Sequence, residues 1–335
     1  MGPGEYSYST DDRSVLLPYL QRWLWRPLLE RLPRSLHPNS ITIFGCLMEF
    51  VSVAFVMLGL YGMRWAFLPA GVCLFVYITA DNIDGAHARR TGQSHPIGEF
   101  LDHWLDLFNG ALMMLTFFAV IQLAGLGYVL LLATCCLAFF AAVFEQFHRG
   151  ILVHGKVGSI EAAFLLLLSF AVYFFFGPEW VRFEPSAFNF GAMLVLVCVV
   201  GLPVTLIAPL VRVRAHLVEL IPPAGTLALL SFWYLGGSIG WFSAGILISL
   251  SNVVFSGRVL RRRLLGGSFA RGNIASGLLL SVPVAIVTIL DPAPHWHMVV
   301  ACVLLAVMLT MAGRDLLLVL ERFEIFRLGI LRRPR

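Results

Sequence analysis

The chain has 335 residues, of which 59% are hydrophobic and only 13% charged, with a mean hydropathy of +0.84 and a formal net charge of +5. Soluble domains are about 45–50% apolar and about 25% charged, so this composition excludes a soluble globular protein and indicates an integral membrane protein. The positive charge fits contact with anionic lipid at the inner membrane face, and it gives no reason to expect a nucleic-acid partner.

The first element in chain order is an amphipathic segment from Leu16 to Leu32. Its leucines recur at helical spacing, with tryptophan and arginine side chains between them. This pattern is typical of a helix that lies in the headgroup plane, anchored by aromatic and basic residues. Pro33 and Pro38 end the segment. We therefore predict that residues 1–37 form a cytoplasmic N-terminal segment with an interfacial amphipathic helix.

Ten apolar runs follow, each close to the length of about 20 residues that a helix needs to cross a hydrocarbon core about 30 Å thick. The predicted spans lie at about 39–62, 65–89, 98–122, 126–148, 159–176, 189–211, 218–236, 239–260, 272–290 and 297–318. The predicted fold is therefore all-α and polytopic. Its parts are a catalytic core of six spans over 38–212, four additional spans over 213–320, and a basic cytoplasmic tail over 321–335.

The basic residues give this topology an orientation. With ten spans and a cytoplasmic N-terminus, all of the 24 basic residues except Arg64 and Arg182 fall on the inner side, as the positive-inside rule expects. Both chain ends are then cytoplasmic. We interpret the arginine run from Arg258 to Arg263 as a solvated patch that faces lipid headgroups. Heavy use of arginine favours a bacterial inner membrane over the endoplasmic reticulum.

Between the second and third spans the chain carries the pattern D-x2-D-G-x2-A-R-x8-G-x3-D-x3-D over residues 81–106, here called the aspartate motif. It places Asp81 and Asp84 at the cytoplasmic end of one span, and Asp102 and Asp106 at the start of the next. Spacings of three and four residues put each pair on one helix face. Four converging carboxylates repel one another unless cations are bound, so we expect Mg²⁺ or Mn²⁺ there, with two ions for the four acids.

The other motif positions suit a ligand that carries phosphates. Gly85 and Ala88 leave room for a nucleotide to approach the helix backbone, and Arg89 can bind a phosphate through two parallel hydrogen bonds. Metal ions held by carboxylates stabilise both ends of a phosphoryl transfer. The alternatives are a divalent-cation transporter and a structural ion-pair cluster. Neither explains the glycine, alanine and arginine positions.

With every motif position filled, the sequence resembles the CDP-alcohol phosphotransferase superfamily. The resemblance implies membrane enzymes that cleave a CDP-alcohol, join the phosphoalcohol or phosphatidyl group to a second hydroxyl, and release CMP. It also implies divalent metal on the motif aspartates and a homodimer. Asn39 and Gly98 join Gly85, Ala88 and Arg89 in the predicted nucleotide and phosphate site.

Further matches resemble the choline/ethanolamine phosphotransferase branch and cover residues 6 to about 165. They comprise Glu99 and His103, the stretch around Tyr8, the segment from Pro38 to Thr42, and the set Gly150, Gly155 and Glu161. Ten spans also fit that branch. Trp104 departs from a usual glycine, and Ala86 and His87 replace a Lys-Gln-like pair, which bears on headgroup choice and not on the chemistry.

Several acidic and histidine residues are candidates for catalytic or substrate-binding roles. His103 is the predicted general base, because imidazole titrates near neutral pH, and Glu99 one turn earlier can hold its tautomer. Asp106 is the alternative base. His148, Glu145 and Glu161 are further predicted substrate-site residues.

These observations predict an enzyme that transfers phosphocholine or phosphoethanolamine from CDP-choline or CDP-ethanolamine to the hydroxyl of diacylglycerol or an alkyl-acyl analogue. The products are phosphatidylcholine or phosphatidylethanolamine and CMP. A lipid acceptor requires an opening between helices near the cytoplasmic surface. The alternative within the superfamily uses CDP-diacylglycerol and a soluble alcohol, such as inositol phosphate or glycerol phosphate.

Overall fold

The computed structural model describes residues 10–155, 158–186, 188–266, 269–290 and 293–323. Two features of the sequence prediction lie outside these residues. They are the resemblance immediately around Tyr8 and the larger part of the basic tail, residues 324–335.

Long helices make up most of the described chain. In chain order the elements are β1 (Thr10–Asp12), α1 (Leu17–Leu20), a π-helical turn (Gln21–Trp25), α2 (Arg26–Arg31), α3 (Pro38–Leu60), a 3-10 turn (Arg64–Ala66), α4 (Phe67–Thr91), α5 (Pro96–Val120), α6 (Gly125–Arg149), β2 (Leu152–His154), α7 (Ser159–Phe176), α8 (Pro178–Val181), α9 (Phe190–Arg212), a 3-10 segment (Arg214–Leu220), α10 (Ile221–Leu235), α11 (Trp241–Leu265), α12 (Phe269–Leu290) and α13 (Pro294–Arg322). Within these ranges, 10 helical segments are long and apolar enough to cross a membrane. The predicted all-α, polytopic fold is confirmed.

The N-terminal segment is helical where the leucine pattern predicts it. Its helix is interrupted only by the π-helical turn, and it has one buried and one exposed face, as Trp25 (3% exposed) and Trp23 (71% exposed) illustrate. Before it, β1 pairs in parallel with β2. The start of the described chain is therefore tied to the connection that follows α6. The interfacial position of this helix stays a prediction.

Close packing of α3 on α4 depends on a small residue at position 45. A Cβ atom on Gly45 would lie 2.8 Å from the Cβ of Ala80, a distance at which the two helices would have to move apart. This contact fixes α3 against the part of α4 that leads directly into Asp81. The first two spans therefore form a rigid wall beside the aspartate motif.

Helix α11 is central among the spans. In its most apolar stretch 78% of the residues are buried, whereas the corresponding value for α9 is 11%. It packs against α5 and α6 and also against α10 and α13. The four additional helices are thus joined to the first six through α11, while α9 presents its apolar side chains outward.

The basic residues separate to the two ends of the bundle. Arg64, at the start of the second span, donates a hydrogen bond to the carbonyl of Tyr173 (3.0 Å). Arg182 follows α7, at the same end of the bundle, and forms an ion pair with Glu184. The aspartate motif lies at the opposite end of α4. The cytoplasmic orientation of the motif end, predicted from charge, stays a prediction.

Candidate active site

A short turn brings the two acidic helix ends together. Helix α4 ends at Gly92, whose φ of +71° belongs to the left-handed region that glycine adopts without strain. Helix α5 begins at Pro96, and the Nδ1 atom of His95 accepts a hydrogen bond from the Ile97 amide (3.2 Å). Proline in the first helical turn and a side-chain cap are typical helix start signals. The cap leaves the two pairs of aspartates facing one another.

Three of the four motif aspartates form a tight group. Oxygen atoms of Asp81, Asp102 and Asp106 all lie within 4.8 Å of one another. Asp84 is 4% exposed and contacts the carboxyl group of Asp102, and it accepts a hydrogen bond from the Thr42 hydroxyl at 2.5 Å. The structure thus brings together all four predicted ligands, with the fourth anchored to α3.

The chemistry of this group fits a divalent cation. All of its donors are carboxylate oxygens, which Mg²⁺ and Mn²⁺ prefer. The Oδ1 atom of Asp102 is buried and has no hydrogen-bond partner among the described residues. A buried acceptor without a partner is costly, and a cation would satisfy it. A divalent cation at this position would be held by Asp81, Asp102 and Asp106.

The predicted nucleotide residues contact one another at two points. A Cβ atom on Gly85 would lie 3.5 Å from Nη1 of Arg89, so the guanidinium passes over the open backbone at Gly85. A Cβ atom on Gly98 would lie 3.5 Å from Oδ1 of Asn39. The start of α3 therefore meets the start of α5. Ala88, on α4, lies one turn beyond Gly85.

Glu99 and His103 lie one turn apart on α5 and line a small cleft with Arg263 from α11. The Glu99 side chain is 8% exposed, and Nη1 of Arg263 donates a hydrogen bond to its Oε1. This contact joins residues that are 164 positions apart in the sequence. The guanidinium of Arg263, on one of the additional helices, thus contacts the acidic member of the predicted Glu99–His103 pair.

The interpretation of the arginine run as a solvated patch is wrong. Arg258 and Arg261 reach the nearly buried carboxylate of Asp315 in α13, at 3.6 and 2.9 Å, and Arg263 reaches Glu99. Buried charges are stable only when paired. The acidic partners of the run thus lie on two neighbouring helices, α5 and α13. The sequence around the run does not reveal them.

The carboxylates of the other predicted substrate-site acids, Glu145 and Glu161, form ion pairs or hydrogen bonds with groups of the protein itself. Glu145 is fully buried and forms ion pairs with Arg149 and Arg212. Glu161 accepts hydrogen bonds from the Ser14 hydroxyl (2.5 Å) and from backbone amides, including that of Gly158 (2.7 Å). Their contacts hold the N-terminal segment and the end of α6 in place, and direct contact with substrate stays a prediction.

His148 lies at the end of α6 beside His216 and Glu219. Its neighbours are therefore outside the aspartate group, and its predicted role in substrate binding also stays a prediction.

Two site contacts were missed in the sequence. The sequence marks Thr42 only through the family resemblance, yet its hydroxyl donates a hydrogen bond to Asp84. The indole of Trp104 lies 3.4 Å from the Cβ position of Gly257 in α11. The large side chain is therefore accommodated by a small residue on the facing helix.

An apolar cavity of about 600 Å³ lies beside the motif, between the N-terminal helix and the first two spans. Its wall includes Thr79, Ala80 and Ile83, which flank Asp81 and Asp84 in α4. The opposite wall consists of leucines, namely Leu24, Leu28, Leu32 and Leu36. This is the kind of opening between helices that a lipid acceptor requires.

Comparison with known proteins agrees with this geometry. Residues 35–207, about half of the chain, match the family model described as CDP-alcohol phosphatidyltransferase. Cholinephosphotransferase 1 of Saccharomyces cerevisiae is 32% identical over 187 residues, 52% of this chain and 47% of that protein. Ethanolaminephosphotransferase 1 of Homo sapiens is 28% identical over 209 residues, 56% of this chain and 51% of that protein. The matches thus span about half the length of these curated relatives. The chain is an integral membrane protein that belongs to the CDP-alcohol phosphatidyltransferase family.

Proposed function

We propose that the protein transfers phosphocholine or phosphoethanolamine from CDP-choline or CDP-ethanolamine to the free hydroxyl of diacylglycerol or an alkyl-acyl analogue. The observation that carries this proposal is the convergence of the four motif aspartates at one end of a membrane-spanning bundle. The relatives named for choline and ethanolamine substrates support the choice of donor.

The donor is held by the aspartate side of the site. Asp81, Asp102 and Asp106 would hold Mg²⁺ or Mn²⁺, which when bound neutralises the pyrophosphate oxygens and the charge that develops on the CMP leaving group. Arg89 binds a phosphate oxygen, and the open backbone at Gly85 admits the nucleotide. The remaining members of this side are Asn39, Ala88 and Gly98.

The acceptor is activated from the α5 side. His103 accepts the proton of the lipid hydroxyl, whose oxygen attacks the phosphorus that bears the choline or ethanolamine group. The bond from that phosphorus to the CMP oxygen then breaks. Glu99 orients the imidazole, and Arg263 fixes Glu99 as a positioning residue. Asp106 is the alternative base.

The apolar cavity suits the acyl chains of the acceptor. Its lining is hydrocarbon and it adjoins Asp81 and Asp84 through Ala80 and Ile83. Phe44 and Phe75 also line it and are 51% and 36% exposed, so the cavity reaches the outer surface of the bundle. A lipid can enter there from the bilayer without crossing the polar site.

The test is a transfer assay on purified protein in detergent. Labelled CDP-choline or CDP-ethanolamine is supplied with diacylglycerol, with and without Mg²⁺, and the labelled lipid is separated by chromatography. We expect metal-dependent lipid product and CMP from at least one donor, and none from the Asp102→Asn variant. A parallel reaction contains CDP-diacylglycerol with inositol phosphate or glycerol phosphate. Product only in the parallel reaction would assign the alternative within the family. Absence of product in both reactions would contradict the proposed transfer and favour the cation-transporter alternative.

We further propose that the active site and both termini face the cytoplasm and that the enzyme is a homodimer. The separation of basic residues to one end supports the orientation, and heavy arginine use favours a bacterial inner membrane. The apolar outer side of α9, with only 11% of its most apolar stretch buried, leaves a surface for lipid or a second copy. Cross-linking in native membranes distinguishes dimer from monomer.

A further inference from the structure

A second cluster of metal-binding side chains lies where the six-span core meets the additional helices. His148 ends α6, while His216 and Glu219 belong to the 3-10 segment Arg214–Leu220 that leads into α10. One ligand atom from each of the three lies within 4.8 Å of the others. The Nδ1 atom of His216 is 3.3 Å from a carboxylate oxygen of Glu219, and Nε2 of His148 is 4.0 Å from the other oxygen.

The donor types differ from those of the aspartate motif. Two imidazole nitrogens and one carboxylate oxygen form a set typical of zinc, and oxygen-only sets suit magnesium or manganese. The nearby arginines do not compete for this carboxylate, because Arg149 and Arg212 are bound to Glu145. Among the described residues, the ion-pair partners of Glu219 are the two histidines.

The surroundings favour retention of an ion. The ring of Phe144 lies 4.5 Å from that of His148, at nearly a right angle, and the ring of Phe147 lies at 5.1 Å. These aromatic rings keep water from one side of the cluster. His216 is 44% exposed on the other side, which leaves access for a metal and for a water ligand. The Oε2 atom of Glu219 is buried and accepts no hydrogen bond among the described residues.

We propose that His148, His216 and Glu219 bind one Zn²⁺ ion, with water as the fourth ligand. Bonds of about 2.0–2.2 Å in a tetrahedron separate ligand atoms by about 3.3–3.6 Å. The distance of 3.3 Å between His216 and Glu219 lies in this range, and the distance of 4.0 Å between His148 and Glu219 lies above it. The two rings are stacked with centroids 3.8 Å apart and planes 19° apart. A metal lies in the plane of each imidazole that binds it, so one ring must turn, and the exposed His216 ring has the space to do so.

The ion would fasten the core to the additional helices. His148 belongs to the family-matched region, and the other two ligands follow residue 207, where that match ends. The contacts observed here between the 3-10 segment and α6 are the stacked imidazole rings and the 4.0 Å approach of His148 to Glu219. The site is independent of the proposed reaction, because its residues are separate from the motif aspartates.

The experiment measures zinc binding to the full-length protein in detergent, after removal of metal with a chelator. Mg²⁺ is present at millimolar concentration to occupy the aspartates, and free Zn²⁺ is followed with a chromophoric indicator. We expect one Zn²⁺ per chain and a higher thermal midpoint with zinc. His216→Ala and Glu219→Gln should each weaken binding by about 100-fold or more, because loss of a ligand exceeds the 10–100-fold effect of a supporting partner. His295→Ala is the matched control, since His295 is exposed at the start of α13.

X-ray absorption of the zinc-loaded, unaltered protein tests the ligand set without relying on any variant. Two nitrogen ligands and light oxygen ligands at about 2.0–2.2 Å are expected. Absence of stoichiometric zinc binding, an oxygen-only shell, or unchanged binding in both folded variants would each overturn the proposal. In those cases the cluster is a metal-free histidine stack on a carboxylate.

Discussion

The contact between Arg263 and Glu99 makes the sharpest prediction about the site. Glu99 is 8% exposed, so replacement of Arg263 by glutamine would leave a nearly buried carboxylate without its charged donor. A hydrogen bond to a charged group contributes about 1.5–3 kcal/mol. If Glu99 holds His103 in the transition state, loss of that amount lowers kcat about 10–100-fold, since 1.4 kcal/mol is tenfold in rate. The KM for the CDP-alcohol should change little, because the proposed nucleotide site lies on the aspartate side.

Arg261→Gln is the matched control. Arg261 lies two residues away in α11 and forms an ion pair with Asp315 rather than Glu99. We expect this variant to lose stability, by about 1–3 kcal/mol, because the nearly buried Asp315 carboxylate loses its 2.9 Å contact and keeps the 3.6 Å contact with Arg258. The folded fraction should keep its kcat. Both variants are assayed with labelled CDP-choline and diacylglycerol after size-exclusion chromatography. Equal kcat values for the folded fractions of the two variants would refute a specific role for Arg263.

A double-mutant cycle tests whether Arg263 acts through Glu99. Glu99→Gln should reduce kcat on its own, and adding Arg263→Gln to it should cost little more, because the pair is already broken. Contacting residues typically show interaction energies of about 0.5–3 kcal/mol in such cycles. Additive losses would mean that the two side chains act on different steps.

Four further predictions address the metal site, the base, the topology and a helix cap. Asp102→Asn should abolish turnover while leaving the protein folded and extractable; near-normal activity would remove the metal assignment. His103→Ala should lower kcat by about 10²–10⁴, the usual contribution of a positioned general base, with calorimetric binding of the CDP-alcohol close to wild type; loss of binding as well would make His103 a substrate contact. A cysteine at position 94 should react with an impermeant reagent only from the cytoplasmic side, and one at position 293 only from the other side; labelling of 94 from outside would overturn the topology. Burial lowers the pKa of the His95 imidazole in the folded protein, so the unfolded chain protonates this imidazole more readily than the folded chain does. The stability that His95 contributes is then present above its unfolded pKa of about 6.5 and lost as pH falls below it. Between pH 7.5 and 5.5, Tm of the wild type should fall more than that of His95→Asn, which caps the helix at either pH; equal shifts would contradict this.

The fold was predictable because its determinants are local in sequence. Each span is a continuous apolar run, and all ten predicted runs correspond to helices in the structure. The convergence of Asp81 with Asp102 and Asp106 followed from helical spacing and one short turn. The residues that end α4 and begin α5, namely Gly92, the capping His95 and Pro96, also act only on neighbours a few positions away in the chain. Where the controlling interactions connect residues that are close in sequence, the sequence pattern and the packing specify the same structure.

The missed contacts are those between side chains on different helices. Thr42 and Asp84 are 42 positions apart, and Arg263 is 164 positions from Glu99. Spacing along one helix does not reveal which helix faces it. The arginine run illustrates the limit, because near a membrane surface the same residues suit headgroups or buried acids equally well. Only the packing of α11 decides between these environments.

That packing also bears on what the additional helices contribute. The family match ends at residue 207, yet α11 supplies the cation that contacts Glu99 and the small Gly257 that accommodates Trp104. Both contacts fall on α5, the helix that carries two motif aspartates. Helix α11 is also the most buried of the spans in the described ranges. Helix α11, outside the matched region, therefore lines the small cleft that contains Glu99 and His103, so changes in α11 can alter turnover without touching an aspartate. Headgroup and acceptor preference should accordingly be sought at the interface between α5 and α11 as well as in the aspartate motif.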